Sequence, residues 1–306
     1  MGIRIYEEPR LTKPVMIVGW PGIGNIGLVA VDTLREITDA REFGEIESPD
    51  FFSPKHAVIR SGLLESLEFP ANRFYYSRLR KNDVIFFIGE EQPRKNSASS
   101  YAEGKEAYRL ANLVVDVAER FGCSRIFTSG AAVSYIHHTM RSRVWTAPNM
   151  KSLVREAAQY PNALLMSHIE NMAGQGFISG LNGLLLGVAR KRKREGICLM
   201  GEIPIYFQGL PIPYPRASRS VLEVFSLILG IEIDFSRFDD LYRDVETQIE
   251  DMYHQIPADV KKQLDRLKES TPADAELEPM TEENRRRLWK EISEFLREGE
   301  AGDEGA

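Results

Sequence analysis

The chain has 306 residues, 43% of them hydrophobic and 27% charged, with a formal net charge of −6 at pH 7. These are the proportions of a globular protein that can bury one large core or two modest ones, and they exclude wholesale disorder. The acidic balance argues against a nucleic-acid partner, which calls for concentrated basic residues, and two cysteines, Cys123 and Cys198, exclude a disulfide framework or a cysteine-rich zinc site and fit a reduced, cytoplasmic setting.

Residues 1–9 hold no signal-like apolar stretch, and Tyr6 stands where a myristoylation signal needs Ser or Thr. No apolar run approaches the roughly 18 residues that span a bilayer, so membrane anchoring is not expected. The apolar run 16–18 reads as a buried strand. It passes into Gly22, Gly24 and Gly27, spaced G-x-G-x-x-G, and then into a helix over 28–37 that is apolar around much of its surface. Bare backbone N–H groups at such a helix start would face an anion, aided by the helix dipole. A dinucleotide-binding fold also needs a second crossover helix and an acidic residue about 20 positions on. Glu45 and Glu47 have that spacing, but after a short strand at 41–48 the runs 57–60, 63–67 and 74–79 read as extended and hairpin-like, with no helix between 48 and 82. The glycines therefore mark a nucleotide site, another anion pocket, or a tight turn, with the first of these weakened.

Residues 83–89 read as a strong buried strand, followed by a polar loop over 90–100 in which Ser97 or Ser99 would cap a helix carrying Leu110, Val114, Val117 and Phe121. Gly122 stands at the expected left-handed cap. A strand over 125–129 ending in Gly130, a helix over 150–159, a strand over 163–166, a helix over 180–194 closed by Gly196 and a strand over 197–201 continue the alternation. Such strand–helix–strand order implies parallel pairing in a layered α/β domain. Pro204, Pro211, Pro213 and Pro215 make 203–215 a stiff irregular loop, and a helix over 221–229 stops at Gly230. Beyond it, Leu241, Val245, Ile249, Met252, Ile256, Val260, Leu264 and Leu267 recur at steps of three or four, with Pro257 dividing the run. This narrow seam with charged flanks reads as a helical hairpin or coiled-coil strip that packs against something else. The expected organisation is a core over 1–235, a helical extension over 236–270, and, over 271–306, a linker, an amphipathic helix with Leu288, Ile292 and Phe295 on one face, and a frayed acidic tail.

Ligands of open α/β sheets bind where parallel strands end. That rule gathers Gly22, Gly24, Asn25 and Gly27 with Glu90 and Gln92, with Ser129 and Gly130, and with Gly176 of a second glycine-rich loop, as candidate ligand-binding residues. The competing reading is that the glycines serve turns and close helix–strand packing. His137 and His138, adjacent and with no acidic residue near in sequence, read as a surface or loop pair rather than metal ligands, and His168 with Glu170 as a polar contact on one strand face. No G-x-S-x-G elbow is present; Ser129 reads as structural, Cys123 as a small buried hydrophobe, and the run Arg190 to Arg194 as a solvated helix end. No catalytic residue, metal or cofactor is expected.

The segments Gly19 to Gly27 (GWPGIGNIG), Ile178 to Leu185 (ISGLNGLL), Leu199 to Pro204 (LMGEIP) and Ile231 to Asp234 (IEID), in this order along the chain, resemble the proteasome assembly chaperone family, the group named for its second eukaryotic chaperone. The resemblance spans residues 14 to about 250. It implies a three-layer α/β/α sandwich with a mostly parallel mixed sheet, similar to nucleoside phosphorylases and some peptidyl hydrolases. It also implies homo-oligomers, trimers or larger rings, and a role in helping protein clients assemble. Archaeal relatives that dock on proteasomes end in a hydrophobic residue, a tyrosine and one more residue; this chain ends Asp303-Glu304-Gly305-Ala306, so that docking motif is expected to be absent. Two functions follow: an oligomeric assembly or scaffolding protein, or an enzyme or binder of a phosphate-bearing or nucleoside-like ligand at the glycine loops.

Overall fold

The computed structural model of the chain describes residues 2–94, 102–166, 176–210, 212–256 and 258–268. The strands are β1 (Ile3–Ile5), β2 (Val15–Gly19), β3 (Arg41–Ile46), β4 (His56–Arg60), β5 (Leu63–Glu68), β6 (Asn72–Ser77), β7 (Val84–Gly89), β8 (Arg125–Ser134), β9 (Val144–Pro148), β10 (Ala163–Leu165) and β11 (Gly196–Pro204). The helices are α1 (Ile26–Ile37), α2 (Gly104–Arg120), α3 (Val154–Ala157), α4 (Gly180–Lys191), α5 (Pro215–Leu229), α6 (Ser236–Gln255) and α7 (Ala258–Asp265).

Nine strands form one sheet in the order β1-β3-β6-β7-β2-β8-β11-β9-β10. Its centre, β7-β2-β8-β11, is parallel, and β6, β3 and β1 continue it antiparallel on one side. Along β2, Val15 and Ile17 enter one buried cluster with α1 and α5, while Met16 and Val18 enter the other with α2 and α4. The two-residue period of the strand thus supplies both faces of a three-layer α/β/α sandwich. Because β3 lies beside β1 and β6 rather than next to β2, the strand order of a dinucleotide-binding half is not formed.

Several boundaries differ from the sequence reading, each for a pairing or capping reason. Strand β8 runs through Gly130 to Ser134 because it is laddered residue for residue with β11 from Ile126↔Gly196 to Ser134↔Pro204. The proline-rich stretch is correspondingly shorter: β11 occupies it to Pro204, a 3-10 turn covers Ile205–Phe207, and α5 starts at Pro215, where proline is suited to the first helical turn. Of residues 150–159, only Val154–Ala157 is α-helical, after a 3-10 turn at Lys151–Leu153. Helix α2 starts after Glu103, which makes no side-chain cap; Ser97 and Ser99 lie outside the described residues. Strands β1 and β9, short and without a clear period, are set by long-range pairing with β3 and β11.

Helices α6 and α7 lie on their own chain. Phe238, Val245, Ile249, Tyr253, Leu264 and Leu267 are buried in the cluster that holds α1 and α5. The partner that the apolar seam called for is thus the face of α5 and the loops beside it. The linker, last amphipathic helix and tail at 271–306 lie outside the described residues. Among the described residues, no helix is long and apolar enough to cross a membrane.

Candidate functional site

Leaving β2, the chain turns sharply into α1 through Gly24 (φ +59°) and Asn25 (φ +46°), two successive left-handed residues. Glycine and asparagine are the residues that enter this region most easily. The Asn25 side chain makes no cap bond. Instead the loop is filled by its own chain: the Tyr214 N–H donates to the Gly24 carbonyl at 2.8 Å, and a Cβ on Gly24 would stand 2.9 Å from Ile203 Cδ1. At Gly27 an added Cβ would collide with the Ser129 carbonyl, so the absence of a side chain is what lets α1 lie directly on β8. Gly22 is extended, with open space around its Cα.

Gln92 ties this loop to α4. Its Nε2 donates to the Pro21 carbonyl at 2.6 Å, and its Oε1 accepts the Leu181 N–H at 3.1 Å, satisfying an orphan donor in the first turn of α4. Asn182 then donates from Nδ2 to the Ser129 carbonyl at 2.8 Å, and Gly130 is bare where a Cβ would stand 2.8 Å from that nitrogen. The structure therefore brings Gly22, Gly24, Asn25, Gln92, Ser129 and Gly130 together, and bridges them with Asn182, which sequence reasoning missed. Ser129 Oγ and Asn182 Oδ1 are buried without a partner. Gly176 is exposed in the coil before α4. Glu90 turns to other partners, accepting from the Ala71 N–H at 2.9 Å and from Lys55 Nζ at 2.8 Å. Partial burial raises its pKa, but these two donors outweigh that and hold it below the usual carboxylate range.

Cys123 and Cys198 are both buried, and burial pushes each thiol up to about 12. Neither is a thiolate nucleophile near neutral pH. The run Arg190 to Arg194 is more than a solvated end: Arg192 reaches Asp116 and Glu119 on α2, Arg194 reaches Glu119, and Arg190 donates to the Asn149 carbonyl. These bonds clamp α4 to its neighbours.

His137 and His138 lie in the loop after β8, as expected, but the packing buries them instead of leaving them at the surface. They are 0% and 4% exposed, and their rings stack with centroids 4.1 Å apart. His137 Nδ1 accepts the Thr139 N–H, and its Nε2 lies 3.2 Å from Tyr253 Oη, which itself donates to Asp265. His138 Nδ1 lies 2.9 Å from Tyr206 Oη, and its Nε2 is 3.5 Å from Glu250. The acidic neighbours absent from the local sequence come from α6 and α7. Burial is the main cause holding His137 down to about 4, and it lowers His138 as well. Among the described residues, no group of three or more His, Cys, Asp or Glu is placed to hold a metal; His168 and Glu170 lie outside them.

Among the described residues, neither place brings together an acid, a base and a nucleophile. The glycine loops form a braced junction of helix starts, and the histidines form a buried seam under the last helices.

Residues 16–253 match the PAC2 family. An uncharacterized protein of Methanocaldococcus jannaschii, MJ1210, is 26% identical over 248 residues, 81% of this chain and 86% of that protein. Among solved structures, Pyrococcus furiosus PbaB, described as an archaeal proteasome activator, is 26% identical with a TM-score of 0.67, covering 81% of this chain and 97% of its own. Pyrococcus furiosus PbaA, described as an archaeal homolog of proteasome-assembly chaperone, is 20% identical with a TM-score of 0.60, covering 88% and 98% respectively. With its parallel-centred sheet, its glycine junction between β2 and α1 and a match that extends over most of its length, the chain belongs to the PAC2 family.

Proposed function

We propose that this chain is a proteasome-assembly-chaperone-like protein that self-associates and acts in the assembly or scaffolding of a protein client. The observation that carries this reading is that the glycine junction is filled from within. Gln92 caps α4, Asn182 holds β8, and Tyr214 with Ile203 fills the turn at Gly24. Gln92 occupies one first-turn N–H of α4, and Tyr214 with Ile203 takes up the space at the Gly24 turn, which leaves less there for an anion. The family and the description of PbaA as a homolog of proteasome-assembly chaperone support the protein-assembly role. Light scattering of the purified chain at micromolar concentration tests self-association, and a strict monomer would overturn it. Capture from the source cells, followed by assembly of the captured subunits with and without the chain, tests the client role; equal assembly rates in both would reject it.

One observation favours a second reading. Ser129 Oγ and Asn182 Oδ1, buried and unpartnered beside the starts of α1 and α4, are the kind of groups that would face a small phosphate-bearing or nucleoside-like ligand. A thermal-shift series with nucleotides, nucleosides, sugar phosphates and phosphate tests it. A ligand at 100 times its dissociation constant adds about 2.7 kcal/mol, and an unmoved transition in every case rejects the reading.

A further inference from the structure

Strands β4 and β5 pair only with each other, as a two-stranded ribbon outside the main sheet. Ser61 (φ +51°) and Gly62 (φ +79°) join them, the two left-handed residues of a tight hairpin turn. The register places Ile59 opposite Leu64 and Ala57 opposite Leu67 on one face. The other face carries His56 opposite Glu68, Val58 opposite Ser66, and Arg60 opposite Leu63 at the tip. The paired residues of one face are thus all apolar, with Glu65, which the register skips at a bulge, drawn to Arg60; yet Ile59, Leu64 and Leu67 are 67%, 69% and 54% exposed, and no residue of the ribbon belongs to a buried cluster. An isolated two-stranded ribbon is marginal in water and gains stability when its apolar face is covered.

We propose that this face is covered by the same face of a second copy of the chain, in a two-fold contact; the inference rests on the self-association proposed above and names its surface. Charge is the first reason. The ribbon's cations are paired within the chain, Arg60 with Glu65 at 2.9 Å and Lys55 with Glu90 at 2.8 Å, and His56 Nε2 lies 2.7 Å from Glu68. The paired residues of the apolar face carry no charge, and the bulged Glu65 is held by Arg60, so nothing selects an acidic or a basic client. Shape is the second. When two such faces stack antiparallel, the bulky Ile59–Leu64 pair of one ribbon lies over the Ala57–Leu67 pair of the other, where Ala57 leaves room, and the reverse contact is equivalent. A two-fold contact requires this self-complementarity. Area is the third. The three large side chains remove on the order of 400 Å² per copy, about half the ~800 Å² per partner of a standard interface. Such a contact gives weak, concentration-dependent pairing unless other surfaces add to it.

Full-length protein tests this by two measurements. Because Cys123 and Cys198 are buried, a cysteine introduced on the ribbon is the reactive thiol. Leu64→Cys should give a covalent dimer with a short bismaleimide, while Ser66→Cys on the opposite face should not. The double substitution Ile59→Glu with Leu64→Glu should raise the dissociation constant for pairing at least about 30-fold, with the thermal transition unchanged as a check on folding. A monomer at micromolar concentration overturns the self-association proposed above, and one that persists up to about 1 mM overturns this contact as well. If the native chain self-associates but the double variant does so equally, or both cysteines cross-link alike, only the ribbon contact is overturned. Self-association that persists in the double variant while binding to a captured client or to lipid vesicles is lost would give the face to that other partner, and also overturns the proposal.

Discussion

At Gly27 a single missing methyl group sets the distance between α1 and β8, since a Cβ there would collide with the backbone of Ser129. Backbone cannot yield as a flexible side chain does, so Gly27→Ala is expected to cost about 3 kcal/mol or more in denaturant unfolding, at the upper end for overpacking. Gly22→Ala, in open space with extended backbone, is expected to change stability by less than about 0.5 kcal/mol. This contrast tests whether the spaced glycines serve packing: equal and small effects would return weight to a ligand role. Gln92 offers a second test. Gln92→Leu leaves the Pro21 carbonyl and the Leu181 N–H without their partner, a cost of about 2 kcal/mol, and hydrogen exchange at the first turn of α4 should rise with it. The glycine spacing was legible in the sequence, whereas its use was not, because the colliding atom belongs to a residue 102 positions away along the chain.

The stacked histidines are expected to give α6 and α7 a pH-dependent hold on the core. They are faced by Glu250 and Tyr253 from α6, Asp265 at the end of α7, Lys268 in the 3-10 turn that follows it, Arg216 from α5, and Tyr206. His137 has a folded-state pKa of about 4 against an ordinary value of 6.5. The unfolded chain therefore binds the extra proton first, and stability falls as pH drops from about 6.5 towards 4 and then levels for this group. His138, also lowered, acts with the same sign. At about 1.4 kcal/mol per unit, the loss attributable to His137 is on the order of 3 kcal/mol. Denaturant unfolding at pH 7, 5.5 and 4.5 measures it, and a slope unchanged in His137→Gln would assign the loss elsewhere. The sequence showed two adjacent histidines without acidic neighbours; the acids arrive from helices more than 100 residues downstream.

Over the whole molecule, the last described helices belong to the same buried cluster as α1 and α5, with Phe238, Val245, Ile249, Tyr253, Leu264 and Leu267 all within 5% exposure. Burying each such side chain contributes about 1.5–3 kcal/mol, so the six together are comparable to the 5–15 kcal/mol net stability of a domain. A chain cut after Leu229 is accordingly expected to lose cooperative unfolding and near-ultraviolet dichroism, and retention of a sharp transition near the native temperature would contradict this. The sequence by itself determined the longer strands and helices, the layered α/β class and the family, because two-residue and 3.6-residue periods, glycine stops and short motifs are local properties written in adjacent residues. The tertiary structure alone decided which strands flank the parallel centre, that β8 continues through Gly130, that the apolar seam packs on its own α5, and that the glycine junction is filled from within. Each of these is a pairing between distant segments, whose register depends on the free energy of mutual burial and not on the character of either segment alone.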